Sequence, residues 1–174
     1  MMLKILGLSL ALASMNAVAT CHKSQSDLDR FLKTKGYNKL CYKQLATKHA
    51  VIDVTVNGRK AYFVLDSGAS VTVVHRDSIP KFRLFPTAKV DYSNATGVGG
   101  SVDAQTYSVE SFKVKQLDIK HPYIFGMDLS HVVNALNGYS KQPIEGVIGQ
   151  DILSKHQAII DVASSTIYLK PLFK

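Results

Sequence analysis

Two apolar stretches, Val51-Ile52-Asp53-Val54-Thr55-Val56 and Ala61-Tyr62-Phe63-Val64-Leu65, flank the dipeptide Asn57-Gly58. Asn-Gly suits a two-residue type I′ turn, whose central residues both need positive φ, so this is the strongest short-range hairpin signal a chain can carry. A β domain is therefore expected to begin near Ala50. The same alternating or β-rich character returns at Val71 to His75, Ser101 to Val114 and Ala158 to Leu169. Few stretches are long and periodic enough for helices; Leu129 to Leu136, after Asp128, is one candidate. Ahead of the hairpin, Ser26 and Asp29 open a short helix with Leu28, Phe31 and Leu32 at i, i+3, i+4, and Gly36 is placed to stop it.

At 174 residues the chain has one domain's length, which excludes a large two-lobed enzyme. Its 46% hydrophobic and 20% charged residues exclude a disordered scaffold. Basic residues outnumber acidic ones by 21 to 13, for a formal charge of +8. Most of the excess precedes residue 61, where Lys23, Arg30, Lys33, Lys35, Lys39, Lys43, Lys48, Arg59 and Lys60 face only Asp27, Asp29 and Asp53. It reads as a solvated basic face. No aromatic RNA-binding motif or recognition-helix pattern accompanies it, so no nucleic-acid partner is expected.

Residues 1–19 read as a secretory signal peptide. Lys4 is followed by the apolar run Ile5 to Ala13 and the small-residue ending Ala17-Val18-Ala19, and the run is too short for a membrane span. Cleavage would leave a basic extension over 20–49, the β domain over 50–174, and a net charge of +7. The expected location is periplasmic or secreted. Cys21 and Cys41 are the only cysteines, and export favours a disulfide between them. Val18-Ala19-Thr20-Cys21 also resembles a lipobox, so the alternative is an outer-membrane lipoprotein, membrane-bound only through Cys21. The six histidines are scattered and no Cys or His pair has ligand spacing, so no metal is expected and each His reads as a surface residue.

The stretch Tyr62 to Leu65 delivers Asp66 to a strand end, where Ser67-Gly68-Ala69-Ser70 breaks the strand. A carboxyl beside so apolar a run meets a desolvation penalty unless nearby hydroxyl and N–H groups hold the anion, an environment suited to acid/base work. Some eighty residues later, Ile144-Glu145-Gly146-Val147-Ile148-Gly149-Gln150-Asp151 places a short apolar strand between glycines and runs into a short helix. Between them lies Thr96-Gly97-Val98-Gly99-Gly100-Ser101, a glycine-rich hairpin tip suited to a mobile flap.

In order and spacing these motifs resemble the retropepsin-like aspartic proteases over roughly residues 50–170. The resemblance implies an all-β fold, a closed β barrel with a short helix after the second glycine motif and a small helical N-terminal prefix. It implies Asp66 as the catalytic carboxylate and Ser67, Gly68, Ala69 and Ser70 as the active-site loop. Gly97, Val98, Gly99 and Gly100 would cover a protein or peptide substrate, and Val147, Ile148 and Gly149 would support the loop. The chemistry needs two carboxylates sharing one proton, yet the chain holds one Asp-Ser-Gly. The implied active form is a homodimer without cofactor, with Ser67 bonding across the two-fold axis and the tail from Tyr168 to Phe173 adding to the interface. Ser70 and Gln150 stand where retroviral enzymes carry an acidic residue and an Arg. Gly-x-Asp at Gly149 to Asp151 is closer to cellular and bacterial relatives, so a bacterial-type exported member is expected. Asp53, Asp151 and Asp161 read as structural. The alternative function is a catalytically inactive peptide-binding or assembly module on the same fold.

Overall fold

The computed structural model describes residues 26–87, 96–97, 100–101, 104–120 and 123–172. The Asn57-Gly58 hairpin forms as the residues dictate. Strands β3 (Ala50–Val56) and β4 (Arg59–Leu65) pair antiparallel up to Val56 opposite Arg59. Asn57 and Gly58 take φ of 46° and 76°, the left-handed conformation that such a turn requires. Asn57 also ties the turn to its surroundings. Its Nδ2 donates to the Phe82 carbonyl, and its Oδ1 accepts from the N–H groups of Glu110 and Ser111, each at 3.0 Å.

Ahead of the hairpin come α1 (Asp27–Thr34), β1 (Asn38–Cys41) and β2 (Lys43–Gln44). After it come β5 (Val73–His75), α2 (Ile79–Phe82), β6 (Phe85–Pro86), β7 (Thr96–Gly97), β8 (Gly100–Ser101), β9 (Gln105–Ser108), β10 (Phe112–Val114) and β11 (Leu117–Ile119). The last are β12 (Tyr123–Met127), α3 (Ser130–Asn137), β13 (Ile144–Ile148), α4 (Gln150–Leu153), β14 (Ile159–Asp161) and β15 (Thr166–Leu169). The expected helices therefore form ahead of the β domain as α1, between β12 and β13 as α3, and after β13 as α4, and Ser101 to Val114 divides into three strands.

The large sheet runs β11-β10-β3-β4-β13-β5-β12-β9-β6. Its decisive feature is β13, which lies parallel to β4 on one side and antiparallel to β5 on the other. The turn joining β4 to β5 must therefore arch over the end of β13. Behind this junction Phe63 is fully buried, with Phe82 and Phe112 edge-on at 6.5 and 6.0 Å, geometry that aromatic quadrupoles favour. Gly146 admits that packing, because a Cβ there would lie 2.5 Å from both the Phe63 ring and the Val73 carbonyl.

The class is all-β, but among the described residues the sheet is not closed into the barrel expected from the resemblance: β11 and β6 end the path without meeting. Both edge strands are short, and Pro86 in β6 has no N–H with which to recruit a further strand.

A second sheet, β1-β15-β14, ties the prefix to the C-terminal end. Asp29 anchors it. Ser26 caps α1 through a reciprocal capping box with Asp29. The buried Asp29 carboxylate also takes Lys39 Nζ at 2.7 Å and the Tyr168 hydroxyl at 2.5 Å. Of the tail from Tyr168 to Phe173, Tyr168 and Leu169 lie in β15, which has β1 on one edge and β14 on the other and is buried throughout. Its ladder groups are already spent within the chain.

Candidate active site

The loop from Asp66 to Thr72 leaves the buried strand β4 and is held from beneath at several points. Asp66 N–H donates to the Ile148 carbonyl at 3.1 Å, which continues the β4–β13 ladder to the loop's first residue. Gly68 N–H donates to Asp66 Oδ1 at 2.8 Å, and Ala69 N–H closes a turn on the Asp66 carbonyl at 3.3 Å. The Asp66 side chain is exposed, so the desolvation anticipated beside the apolar strand is not supplied by one copy of the chain. The strand points its apolar residues inward and stops, and the carboxylate stands past the end of the cover.

The other side of the loop is fastened by residues around α4. Thr72 donates its N–H to Asp151 Oδ2 at 2.9 Å and its hydroxyl to Asp151 Oδ1 at 2.6 Å. The same hydroxyl accepts the Gly149 N–H at 3.1 Å. Gln150 N–H reaches the Ala69 carbonyl at 2.8 Å, its Nε2 reaches the Ser67 carbonyl at 2.7 Å, and Asp151 N–H reaches Ser70 at 3.3 Å. Asp151 is thus structural, as its place after the glycines suggested. Thr72 was not singled out in the sequence; its only signal is that a buried hydroxyl directly after the loop needs a partner.

Val147 and Ile148 are buried beneath the loop, and Gly149 lies against it. A Cβ on Gly149 would sit 2.4 Å from the Val71 carbonyl oxygen and 2.9 Å from that of Ala69, both backbone atoms. Gly149→Ala is therefore expected to push the loop off its support. Overpacking of this kind costs about 1–3 kcal/mol, and rigid backbone neighbours place it at the upper end. Thermal melts should show a fall of roughly 6–12 °C, and a melt within a degree of wild type would show that the loop yields freely.

Gly97 and Gly100 sit in the small hairpin formed by β7 and β8, Gly97 opposite Gly100. Val98 and Gly99 at its tip lie outside the described residues, as does Cys21 of the expected disulfide; Cys41 ends β1, half-buried. Ala69 packs with Leu129 and Val132 against the cluster that contains Val64, Leu136 and Val147, so α3 buttresses the loop from another side. Ser67 and Ser70 are exposed beside Asp66.

Two histidines depart from the surface placement expected of them. His75 is buried, its Nδ1 accepting the Leu129 N–H at 3.1 Å ahead of α3, and His156 is fully buried with Nδ1 2.8 Å from the Lys170 carbonyl. Asp53 pairs with Lys115 at 3.0 Å, and Asp161 accepts from Ala163 and Ser164 in the β14–β15 turn, so both are structural. Among the described residues no cluster of three or more His, Cys, Asp or Glu is placed to hold a metal, and no helix is long and apolar enough to cross a membrane.

No curated protein matches the chain. Among solved structures it is similar to EIAV protease complexed with the inhibitor HBY-793, at 22% identity over 67% of this chain and 95% of that one, with a TM-score of 0.46. A retropepsin-like aspartic protease from Rickettsia conorii is 16% identical over 76% and 90% of the two chains, with a TM-score of 0.48. The retroviral protease-like domain of Ddi1 from Leishmania major is 16% identical over 70% and 88%, with a TM-score of 0.45. The model of the aspartyl protease family matches residues 52–152. That segment begins in β3 and ends in α4, so it takes in Asp66, the glycine-rich hairpin and Gly149 together, and the chain belongs to the aspartyl protease family as a retropepsin-like member.

Proposed function

We propose that the chain is an aspartic endopeptidase that works as a homodimer, Asp66 of each copy meeting at a two-fold axis. The observation that carries this reading is the presentation of Asp66: exposed at the end of a buried strand, oriented by the Gly68 N–H, on a loop braced by β13 and α4. An isologous contact between two such loops would bring identical carboxylates together and bury them. One would hold a proton and the other would ionise, because like charges in contact cannot both do so at low cost.

In hydrolysis the ionised member takes a proton from water as its oxygen adds to the scissile carbonyl carbon. The protonated member donates to the carbonyl oxygen. Collapse of the resulting gem-diol breaks the C–N bond: the proton gained from water passes to the leaving amine, while one diol hydroxyl returns its proton to the other carboxylate as the carboxylic acid forms, which restores the shared proton. Ser67 would bond across the axis, and the β7–β8 hairpin with Val98 and Gly99 would close over a substrate with apolar residues beside the cleaved bond. Export through the 1–19 signal and a Cys21–Cys41 disulfide complete the proposal.

One observation favours the non-catalytic alternative. Both edges of β15 are occupied within the chain, so the terminal strand is not available to build a dimer, and a monomer would bind peptide without turnover.

The two readings separate when the full chain is expressed with its leader and purified from the exported fraction. The proposal expects an intact mass lacking 1–19 that rises by two hydrogen atoms on reduction of the disulfide, and a dimer on a sizing column. It also expects cleavage of a mixed peptide library that peaks between pH 3 and 6 and is blocked by a pepstatin-type inhibitor. A strict monomer with no cleavage from pH 3 to 7 establishes the binding module instead.

A further inference from the structure

We propose that Gln150 is a positioning residue for Asp66, acting through the peptide group between Ser67 and Gly68; its catalytic consequence rests on the function proposed above. That one peptide plane carries two hydrogen bonds. Its carbonyl, on Ser67, accepts from Gln150 Nε2 at 2.7 Å, and its N–H, on Gly68, donates to Asp66 Oδ1 at 2.8 Å. A donor on the oxygen of an amide draws electron density toward it and makes the N–H at the other end a stronger donor, so the two bonds reinforce each other. Gln150 thereby fixes the tilt of the plane that aims the Gly68 N–H at the carboxylate.

The Gln150 side chain is itself held in place. Its Oε1 accepts the Ser154 hydroxyl at 2.7 Å one turn along α4. The Ser67 carbonyl can only accept, so the amide nitrogen must face it and the orientation of the amide is determined. Gln150 N–H holds the Ala69 carbonyl as well, so one residue grips the loop on both sides of Gly68. A Cβ on Gly68 would lie 3.2 Å from Asp66 Oδ1, which leaves little slack in the turn. Charged groups on the bridged elements are Asp66 and Asp151, with Asp151 tied to Thr72; Lys155, beyond the helix, reaches the Lys120 carbonyl.

The test compares wild type, Gln150→Leu and Gln150→Glu in the full exported chain. The Glu variant keeps the acceptor for Ser154 but when ionised has no hydrogen to give Ser67. The first readout needs no enzymatic activity: the amide proton of Gly68, whose chemical shift follows its hydrogen bond to Asp66. It should move upfield at pH 6 in both variants and return toward the wild-type position at pH 4 in Gln150→Glu alone, as the introduced carboxyl protonates near its ordinary value of about 4.3 and becomes a donor. The second readout is turnover. One ordinary hydrogen bond corresponds to roughly a three- to tenfold fall in kcat at pH 6, with KM and melting temperature little changed. The deficit of Gln150→Glu relative to wild type should shrink at pH 4 while that of Gln150→Leu persists.

A Gly68 resonance unmoved in Gln150→Leu, or a Glu variant that tracks Leu at both pH values, overturns the proposal. If wild type cleaves no peptide, the function proposed above fails, and the Gly68 resonance still decides whether Gln150 orients the loop.

Discussion

Asp66→Asn is expected to leave a folded dimer whose kcat/KM for peptide cleavage is lower by at least about 10³-fold, the scale of a lost general acid–base pair. The substitution is nearly isosteric, and Asn Oδ1 can still accept the Gly68 N–H that now reaches Asp66 at 2.8 Å. The side chain is exposed in the single copy, so little folding energy is at stake, and the loss should lie in turnover. A neutral amide can neither take a proton from water nor share one with its twin. Mixing sharpens the test. If both carboxylates are needed and subunits exchange freely, equal parts of wild type and variant at constant total protein should retain about a quarter of the wild-type rate, the share of dimers with two aspartates. Half the wild-type rate would mean that each copy works alone, and equal cleavage by wild type and variant would remove Asp66 from the chemistry.

The parts of this fold that could be read in advance are those fixed by neighbours in the sequence. Asn57-Gly58 dictates its turn, Ser26 with Asp29 caps its helix, and the glycines around Val147 and Ile148 mark where backbone must come close to backbone. Distant pairing was not legible in the same way. The insertion of β13 between β4 and β5, and the bonds from Thr72 to Asp151 and from Gln150 to Ser67, join residues about eighty positions apart. Nothing local to Thr72 or Gln150 marks them as partners of the loop. The second sheet escaped for the same reason. β1 lies in a segment whose charges read as a solvated face, and β15 offers an apolar edge that reads as free until β1 is known to cover it. Burial of His75 and His156 depends wholly on which carbonyls and N–H groups the fold brings to their rings.

Replacing Asp29 should loosen the clamp that β1 and α1 place on β15, and the pH dependence of that loss identifies its cause. Burial pushes the Asp29 carboxyl up, but Lys39, the Tyr168 hydroxyl and the Ser26 N–H together outweigh it and hold the group well below the usual carboxylate range. Burial and the facing carboxylate push the Tyr168 hydroxyl well above its usual range, so it remains a donor. Asp29→Ala would leave that hydroxyl buried without this acceptor, and breaking a buried pair of this kind costs about 3–5 kcal/mol. Because the Lys39 side chain retains 30% exposure and can turn to water, roughly 2–3 kcal/mol is expected, or a melting temperature some 5–10 °C lower at pH 7. Asp29 binds its proton less readily folded than unfolded, so its contribution is complete above about pH 4 and fades as the pH falls through the lower, folded value. Tyr168 gives the alkaline counterpart: its contribution is complete below about pH 10 and is lost above it as the hydroxyl ionises. Melts of wild type and Asp29→Ala should therefore stay apart from pH 9 down to pH 4 and converge below it. A gap that stays constant down to pH 2 would assign the loss to packing. Persistence of the gap at pH 4 also bears on the proposed function, because it would keep the prefix locked onto β15 in the acid range where the proposed aspartate pair would share a proton.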